Sequence, residues 1–167
     1  MNSKVKIIGL AGPAGVGKST VARSISKITG GEIFSFADAI RLGLYVMGFP
    51  VDVKQKERPV LGDLSSRDLM KKLGMWGRDL DEGFWCSRVM DRIDRGVTHL
   101  AIIDDVRFDN EAEAIRARGG SVFQLSRGGV DFAGDHPTEC GLYSASIDHR
   151  IDVGTPEEAA LEIISAA

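Results

Sequence analysis

The segment that most constrains the fold is residues 12–19, which read Gly-Pro-Ala-Gly-Val-Gly-Lys-Ser. This is the phosphate-binding pattern G-x-x-x-x-G-K-[ST], and it lies between an apolar run over residues 5–10 and a predicted helix over residues 19–28. Glycines let the backbone N–H groups turn inward, where they and the helix N-terminus can hold a polyphosphate. Lys18 would reach the β- and γ-phosphates, and the Ser19 hydroxyl would hold Mg²⁺. The pattern predicts a nucleoside triphosphate site; the alternative is an incidental glycine-rich turn.

The predicted nucleotide contacts in this loop are Gly12, Ala14, Gly15, Val16, Gly17, Lys18, Ser19 and Thr20.

Composition and charge exclude several classes of function. The 167 residues suit one domain, and 21 basic against 24 acidic residues give a net charge of −3 without a basic stripe. Only 7% of residues are aromatic, so we expect no nucleic-acid partner. Cys86 and Cys140 lack metal-ligand spacing, so we expect two reduced thiols. With no membrane-length apolar run and no signal peptide, we expect a soluble, cytoplasmic protein without a membrane partner.

Short apolar runs alternate with amphipathic stretches, which predicts an α/β fold with a mainly parallel central sheet. The predicted strands cover residues 5–10, 32–36, 99–103, 121–125 and 147–153. The predicted helices cover residues 19–28, 37–47, 66–73 and 84–95, a stretch opened by 109–111 and closed by Gly119-Gly120, and a terminal stretch with Pro156 in its first turn. A polar segment over residues 50–63 separates two of these helices, and residues 126–141 are interpreted as a mobile loop.

Two adjacent acidic residues, Asp104 and Asp105, follow directly after the apolar run of the predicted strand over residues 99–103. A phosphate loop needs a carboxylate at the end of a neighbouring strand to orient the Mg²⁺ shell. Because alternate strand residues point to opposite faces, either carboxylate could serve. The alternative is a cap or turn after a buried strand.

Five arginines lie at the edges of predicted elements or in loops: Arg41, Arg67, Arg78, Arg107 and Arg127. Guanidinium groups grip phosphate bidentately, so a protein that binds both a phosphate donor and a phosphate acceptor would need several. Any single one could instead be a solvated surface arginine. Asp38, after the second strand, is either a group that orients the acceptor or the N-cap of the following helix.

Several blocks spread over the chain resemble the phage-type deoxynucleoside monophosphate kinases, a branch of the P-loop nucleotide kinases. They are Phe-Ala-Asp-Ala-Ile-Arg (36–41), Arg-Asp-Leu-Met-Lys-Lys-Leu-Gly (67–74), Asp-Val-Arg-Phe-Asp-Asn-Glu-Ala-Glu (105–113), Gly119-Gly120, Ser126-Arg127, His-Pro-Thr-Glu (136–139) and Gly154-Thr155. The resemblance implies one P-loop kinase domain over residues 1–167, a three-layer fold with helices on both faces of the sheet. It also implies an acceptor-binding helical region at about 37–96 and a lid at about 126–141.

The resemblance implies transfer of the γ-phosphate of ATP to a deoxynucleoside monophosphate with Mg²⁺. Lys18, Arg127, Asp38 and Arg107 would be catalytic. Ser19 and, through water, Asp105 would serve the metal. The residues implied around the acceptor are Asp38, Arg41, Arg67, Arg78, Asp105 and Arg107. The implied ATP contacts outside the loop are Arg127, on a lid anchored by His136 and Glu139, and Gly154 and Thr155 beside the adenine.

This chain departs from the family pattern at four places. Ala39 replaces a proline, Arg41 replaces a lysine, Met75-Trp76 stands in place of a threonine–acid pair, and Asp152 replaces an asparagine. Two other functions stay open: a P-loop kinase for another small metabolite, such as dephospho-coenzyme A or a sugar acid, and a nucleotide-dependent switch. The sequence also leaves a homodimer open.

Overall fold

The computed structural model describes residues 5–51, 58–132 and 141–167. These form two compact units, one built from the chain up to Ser35 and from Met90 onward, the other from Phe36–Val89. In chain order the elements are β1 (Lys6–Ala11), α1 (Lys18–Thr29), β2 (Glu32–Phe34), α2 (Asp38–Val46), β3 (Pro59–Leu61), β4 (Leu64–Ser65), α3 (Ser66–Leu80), α4 (Phe84–Arg95), β5 (Leu100–Val106), α5 (Asp109–Ala117), β6 (Ser121–Ser126), β7 (His149–Asp152) and α6 (Pro156–Ala166), with a 3-10 helix at Ser144–Ser146. We call the first unit the sheet unit and the second the helical unit.

The sheet unit contains a five-stranded sheet in the order β2-β5-β1-β6-β7, and every pairing in it is parallel. Parallel strands joined by helices are covered on both faces, so they read as continuous apolar runs. Ile8 and Leu10 of β1 pack in a core with α1 and α6. On the opposite face, Gly9 lies so close to Ile115 of α5 that an added Cβ would be 2.6 Å from Cδ1 of Ile115. The predicted α/β fold with a mainly parallel sheet flanked by helices is confirmed.

Three predicted strand boundaries need correction. The strand predicted to end before Asp104 and Asp105 continues through both residues to Val106, so the two carboxylates lie within β5. Asp105 tolerates burial there because a serine hydroxyl donates a hydrogen bond to it. The strand predicted over residues 32–36 ends at Phe34, and the one predicted over 147–153 covers only His149–Asp152.

The helical unit contains α2, α3, the first part of α4 and a β3–β4 hairpin, which lies in a segment that the sequence indicated only as a polar separator. Helix α3 continues to Leu80, well past the predicted end at residue 73. Two glycines in this added part of the helix are packing positions. A Cβ on Gly77 would lie 2.5 Å from Nε1 of Trp85, and that nitrogen donates to the carbonyl oxygen of Gly74 at 2.8 Å.

Side-chain caps define where α3 and α6 begin. The Ser65 side chain accepts from the Asp68 backbone N–H, and the Asp68 carboxylate accepts from the Ser65 backbone N–H and hydroxyl. These bonds hold the pKa of Asp68 below its usual value. Thr155 and Glu158 form the same box at α6, where Pro156 occupies the first turn as predicted. None of the helices in the described part of the chain is long and apolar enough to cross a membrane.

Candidate nucleotide-binding site

Backbone geometry explains the glycines of the loop between β1 and α1. Gly12, Gly15 and Gly17 have φ angles of 138°, 83° and 108°, in a region that side-chain-bearing residues rarely adopt. Gly12 also has no room for a side chain, because an added Cβ would lie 2.6 Å from the carbonyl oxygen of Leu125. The loop therefore bends tightly over the end of β6 and begins α1 at Lys18.

One apolar residue anchors this loop. The side chain of Val16 is fully buried and belongs to the core of the sheet unit, so only its backbone is available to a ligand. The side chains of Ser19 and Thr20, in the first turn of α1, are exposed. Ala14 and Gly15 at the tip are exposed as well. The loop thus combines a base anchored in the core with an exposed tip and an exposed first helical turn, which suits a phosphate-binding loop.

The ammonium group of Lys18 folds back over the loop. Its Nζ donates to the carbonyl oxygens of Gly12 at 2.7 Å and Pro13 at 2.8 Å. Burial, followed by the positive charge of Arg107, lowers the pKa of Lys18 to about 8, while the charges of Asp105 and Asp104 act in the opposite direction. The structure therefore brings Lys18, both carboxylates of β5 and Arg107 close enough to interact electrostatically.

Of the two acidic residues on β5, Asp105 is the better fixed. It is buried, with 9% of its surface exposed, and its Oδ2 accepts a 2.6 Å hydrogen bond from the hydroxyl of Ser35. Asp104, the next residue along the strand, is half-buried, and it raises the pKa of Lys18 less than Asp105 does. The hydrogen bond from Ser35 therefore fixes the Asp105 carboxylate in place.

Arg127 lies beside the loop from the side of β6. A Cβ on Gly17 would lie 3.6 Å from Nη2 of Arg127, and the Nε of Arg127 donates to the carbonyl oxygen of Val153 at 3.4 Å. Gly154 and Thr155 follow directly, and the Thr155 hydroxyl donates to Oε2 of Glu158 in the cap of α6. Arg127 therefore connects the phosphate loop with the segment predicted to border the adenine.

The donor set in this region suits Mg²⁺. Ser19 offers an exposed hydroxyl on α1 and Asp105 offers a carboxylate at the same edge of the sheet, and both are hard oxygen ligands. Mg²⁺ keeps several waters and takes few protein ligands when substrate phosphates complete its shell. Within the described ranges no group of three or more histidine, cysteine or acidic side chains could hold a metal, and a phosphate-bound Mg²⁺ requires none.

Four of the six residues predicted to surround an acceptor, Asp38, Arg41, Arg67 and Arg78, belong to the helical unit. The other two, Asp105 and Arg107, lie in the sheet unit. Asp38 is the first residue of α2 and accepts from Nη1 of Arg41 at 2.7 Å; Ala37 is the N-cap, so the capping alternative for Asp38 is wrong. Nη1 of Arg78 donates to the carbonyl oxygen of Glu82 at 3.3 Å. Arg67 is half-buried on α3. The acceptor role of these residues stays a prediction. His136, Glu139 and Cys140 lie outside the described residues, and the side chain of Cys86 is buried.

Sequence reasoning missed two residues. Lys71 lies four residues after Arg67 and seven residues before Arg78. At helical spacing the three cations therefore share one face of α3, and all three are half-buried. The helical spacing of these three residues could have been recognised from the sequence. Ser35 gave no signal, because a serine after a strand is usually an ordinary turn residue and its bond to Asp105 joins residues far apart in the chain.

The sequence matches no family model and no curated protein. Its structure is similar to that of shikimate kinase from Aquifex aeolicus, with 14% identity, coverage of 96% of this chain and 95% of that chain, and a TM-score of 0.57. A putative kinase from Chloroflexus aurantiacus shows 10% identity over 99% and 96% of the two chains, with a TM-score of 0.55. The Deinococcus radiodurans tunicamycin resistance protein shows 17% identity over 97% and 95%, with a TM-score of 0.52. At these identities the likeness shows the fold alone, which is an α/β fold that this chain shares with these neighbours.

Proposed function

We propose that this protein is an ATP-dependent deoxynucleoside monophosphate kinase that converts a dNMP and ATP into a dNDP and ADP. The observation that carries the proposal is the arrangement around Lys18. A glycine loop with an exposed tip is flanked there by Arg127, and Lys18 interacts with Asp105 and Arg107. The motif blocks that follow Arg67 supply the acceptor part of the proposal.

Transfer of a phosphoryl group requires positioning and charge neutralisation more than covalent help from the protein. An oxygen of the acceptor's 5′-phosphate forms a bond to the γ-phosphorus of ATP, while the bond from that phosphorus to the β,γ-bridging oxygen breaks and ADP leaves. The acceptor needs no strong general base, since the second pKa of a phosphate monoester is about 6. Lys18, Arg107 and Arg127 would spread the developing negative charge. Bound Mg²⁺ would supply further charge neutralisation at the β- and γ-phosphates.

The helical unit would hold the acceptor. Arg67, Lys71 and Arg78 present three positive charges from one face of α3, which suits the phosphate of a nucleotide. Arg41 would add a further guanidinium, held in place by its ion pair with Asp38. The segment over residues 126–141 would act as a lid that carries Arg127 to the donor and excludes water, so that ATP is not hydrolysed.

A panel of all deoxy- and ribonucleoside monophosphates, each with ATP and Mg²⁺, tests the proposal. We expect acceptor-dependent formation of ADP and of a nucleoside diphosphate with at least one dNMP. Chromatography of both products separates transfer from hydrolysis. Slow ADP release that no monophosphate changes would contradict the proposal and favour a nucleotide-dependent switch.

A kinase for a different small metabolite is the second candidate. Its support is that a shikimate kinase is among the proteins with a similar structure, although at 14% identity this likeness does not decide between the two candidates. This function would use the same loop, so only the acceptor distinguishes it. The panel therefore includes shikimate, sugar acids and dephospho-coenzyme A. The cationic face of α3 suits an anionic acceptor, a property that a dNMP shares with these other compounds, so the panel decides between them.

A further inference from the structure

Ser35 is a buried polar side chain that the proposed chemistry does not use. It follows β2 directly, and β2 pairs in parallel with β5, where Phe34 lies opposite Ile103. Ser35 therefore lies at the carboxyl edge of the sheet, alongside the acidic pair of β5. It is also the last residue of the sheet unit before the chain enters the helical unit at Phe36.

The hydrogen bond between Ser35 and Asp105 has the properties of a strong one. The distance from Oγ of Ser35 to Oδ2 of Asp105 is 2.6 Å, within the range for a hydroxyl that donates to an ionised carboxylate. Ser35 is 5% exposed and Asp105 is 9% exposed, so water competes little for either group. Removing the hydroxyl would leave a buried carboxylate oxygen one donor short, which is costly.

We propose that Ser35 is a positioning residue that orients the Asp105 carboxylate toward the Mg²⁺ of a bound nucleotide. The inference rests on the proposed function in taking a magnesium nucleotide as the ligand of this site. Ser35 itself touches neither nucleotide nor metal in this account. Carboxylates that bind metals or their waters are themselves held by hydrogen-bonding partners, and loss of such a partner costs about 10- to 100-fold in metal affinity or activity.

The position of Lys18 explains why the orientation of this carboxylate matters. The negative charge of Asp105 already interacts with the Lys18 ammonium. A carboxylate released from Ser35 would turn toward the positive charges around it, and Lys18 is one of them. It would then compete with the phosphate for Lys18 and present its oxygens poorly to the metal shell.

The test measures binding without turnover. A non-hydrolysable ATP analogue is titrated by calorimetry into the wild-type protein and into Ser35→Ala and Ser35→Thr, with Mg²⁺ and again with a chelator. We expect Ser35→Ala to weaken binding of the magnesium analogue about tenfold, while the metal-free analogue binds within about twofold of wild type. Ser35→Thr keeps the hydroxyl and should restore most of the magnesium-dependent affinity.

Ser24→Ala is the matched control, because Ser24 is a buried serine of the same unit whose hydroxyl lies 3.5 Å from Oε1 of Glu157. It should bind both forms of the analogue like wild type. Equal losses for the magnesium and metal-free forms in Ser35→Ala would indicate a structural role and overturn the inference, as would a folded Ser35→Ala with unchanged magnesium affinity. If Ser35→Ala does not fold, Ser35→Cys is titrated instead, because its thiol is similar in shape to the hydroxyl but is a weak donor. It should show the same loss of affinity for the magnesium form alone.

The two proposals fail in different ways. The titration contains no acceptor, so a failed dNMP panel leaves its result intact. Wild-type protein whose affinity for the analogue is the same with and without Mg²⁺ would overturn the role of Ser35 even if a dNMP were phosphorylated.

Discussion

The sheet unit and the helical unit hold their candidate site residues in different ways. In the sheet unit, the loop, Asp105 and Arg127 extend from strands whose apolar side chains, such as Ile102 and Leu125, are fully buried. In the helical unit, the candidate cations lie on helices that leave many large apolar side chains exposed, among them Leu42, Tyr45, Val46, Met47, Trp76 and Leu80.

This contrast separates the two halves of the proposed reaction. The donor groups lie at the edge of a buried parallel sheet, where ligands bind in open α/β folds. The proposed acceptor groups of the helical unit lie on α2 and α3, where they are only partly buried. Substitutions in the sheet unit should therefore affect ATP and the transfer step, and substitutions in the helical unit should affect the acceptor. The following predictions test that division, from the largest effect to the smallest.

Lys18→Ala should have the largest effect. It removes the ammonium that would stabilise charge on the transferring phosphate, and a donor of this kind is worth about a hundredfold to a thousandfold in kcat. We expect a loss near the upper end in a coupled ADP-release assay. Circular dichroism and thermal unfolding should show a folded protein. Turnover within a few-fold of wild type would show that transfer does not need Lys18 and would contradict the role proposed for the sheet unit.

Arg127→Ala should lower kcat by about a hundredfold, because Arg127 lies beside Gly17 and would neutralise charge on the donor phosphates. The KM for the acceptor should change little. Arg150→Ala is the control, since Arg150 is an exposed arginine of the same unit that bonds Ser144. Equal losses in both variants would show a general effect of charge instead of a local one.

Arg67→Ala tests the helical unit. A hydrogen bond to a charged group contributes about 1.5–3 kcal/mol, so the KM for the acceptor should rise about tenfold or more. The affinity for an ATP analogue, measured by calorimetry, should not change. Lys72→Ala, on the same helix but on a different face, should leave both constants as they are. A weaker ATP affinity in Arg67→Ala would contradict the assignment of ATP binding to the sheet unit and acceptor binding to the helical unit.

The pH dependence of ATP binding should show the smallest effect. Lys18 has a pKa of about 8 in the free protein, and bound phosphate favours its charged form, which raises that pKa in the complex. Above pH 8 the complex therefore holds more protons than the free protein. Binding then takes up a proton, and affinity falls by up to about tenfold per pH unit.

Calorimetry of an ATP analogue between pH 7 and pH 9.5, in buffers of different ionisation enthalpy, measures both the affinity and the proton uptake. Lys18→Arg is the control, because arginine stays protonated over this range. Affinity that is flat with pH in wild type, or a matching fall in Lys18→Arg, would contradict the lowered pKa as the cause.

Local patterns were sufficient to predict much of the sheet unit. The strand–loop–helix around residues 12–19, the parallel sheet and the first turn of α6 at Pro156 are confirmed. Glycine φ requirements and buried apolar runs act over a few residues, so they are visible in the sequence. The helical unit was predicted less well. Helix α3 was predicted to end at residue 73, but it continues through Gly74 and Gly77, which contact Trp85. That packing joins two consecutive helices, and it depends on how they pack against each other, which no local pattern in the sequence sets.

The sequence by itself determined that this protein has a glycine loop of the phosphate-binding pattern and an α/β fold with a parallel sheet. Each of these features depends on residues that are neighbours along the chain. Only the tertiary structure decided which groups surround Lys18, that Asp105 is held by Ser35, and that Arg127 lies beside Gly17. Those contacts join residues on, or following, different strands. Their distances depend on how the strands pair side by side in the sheet.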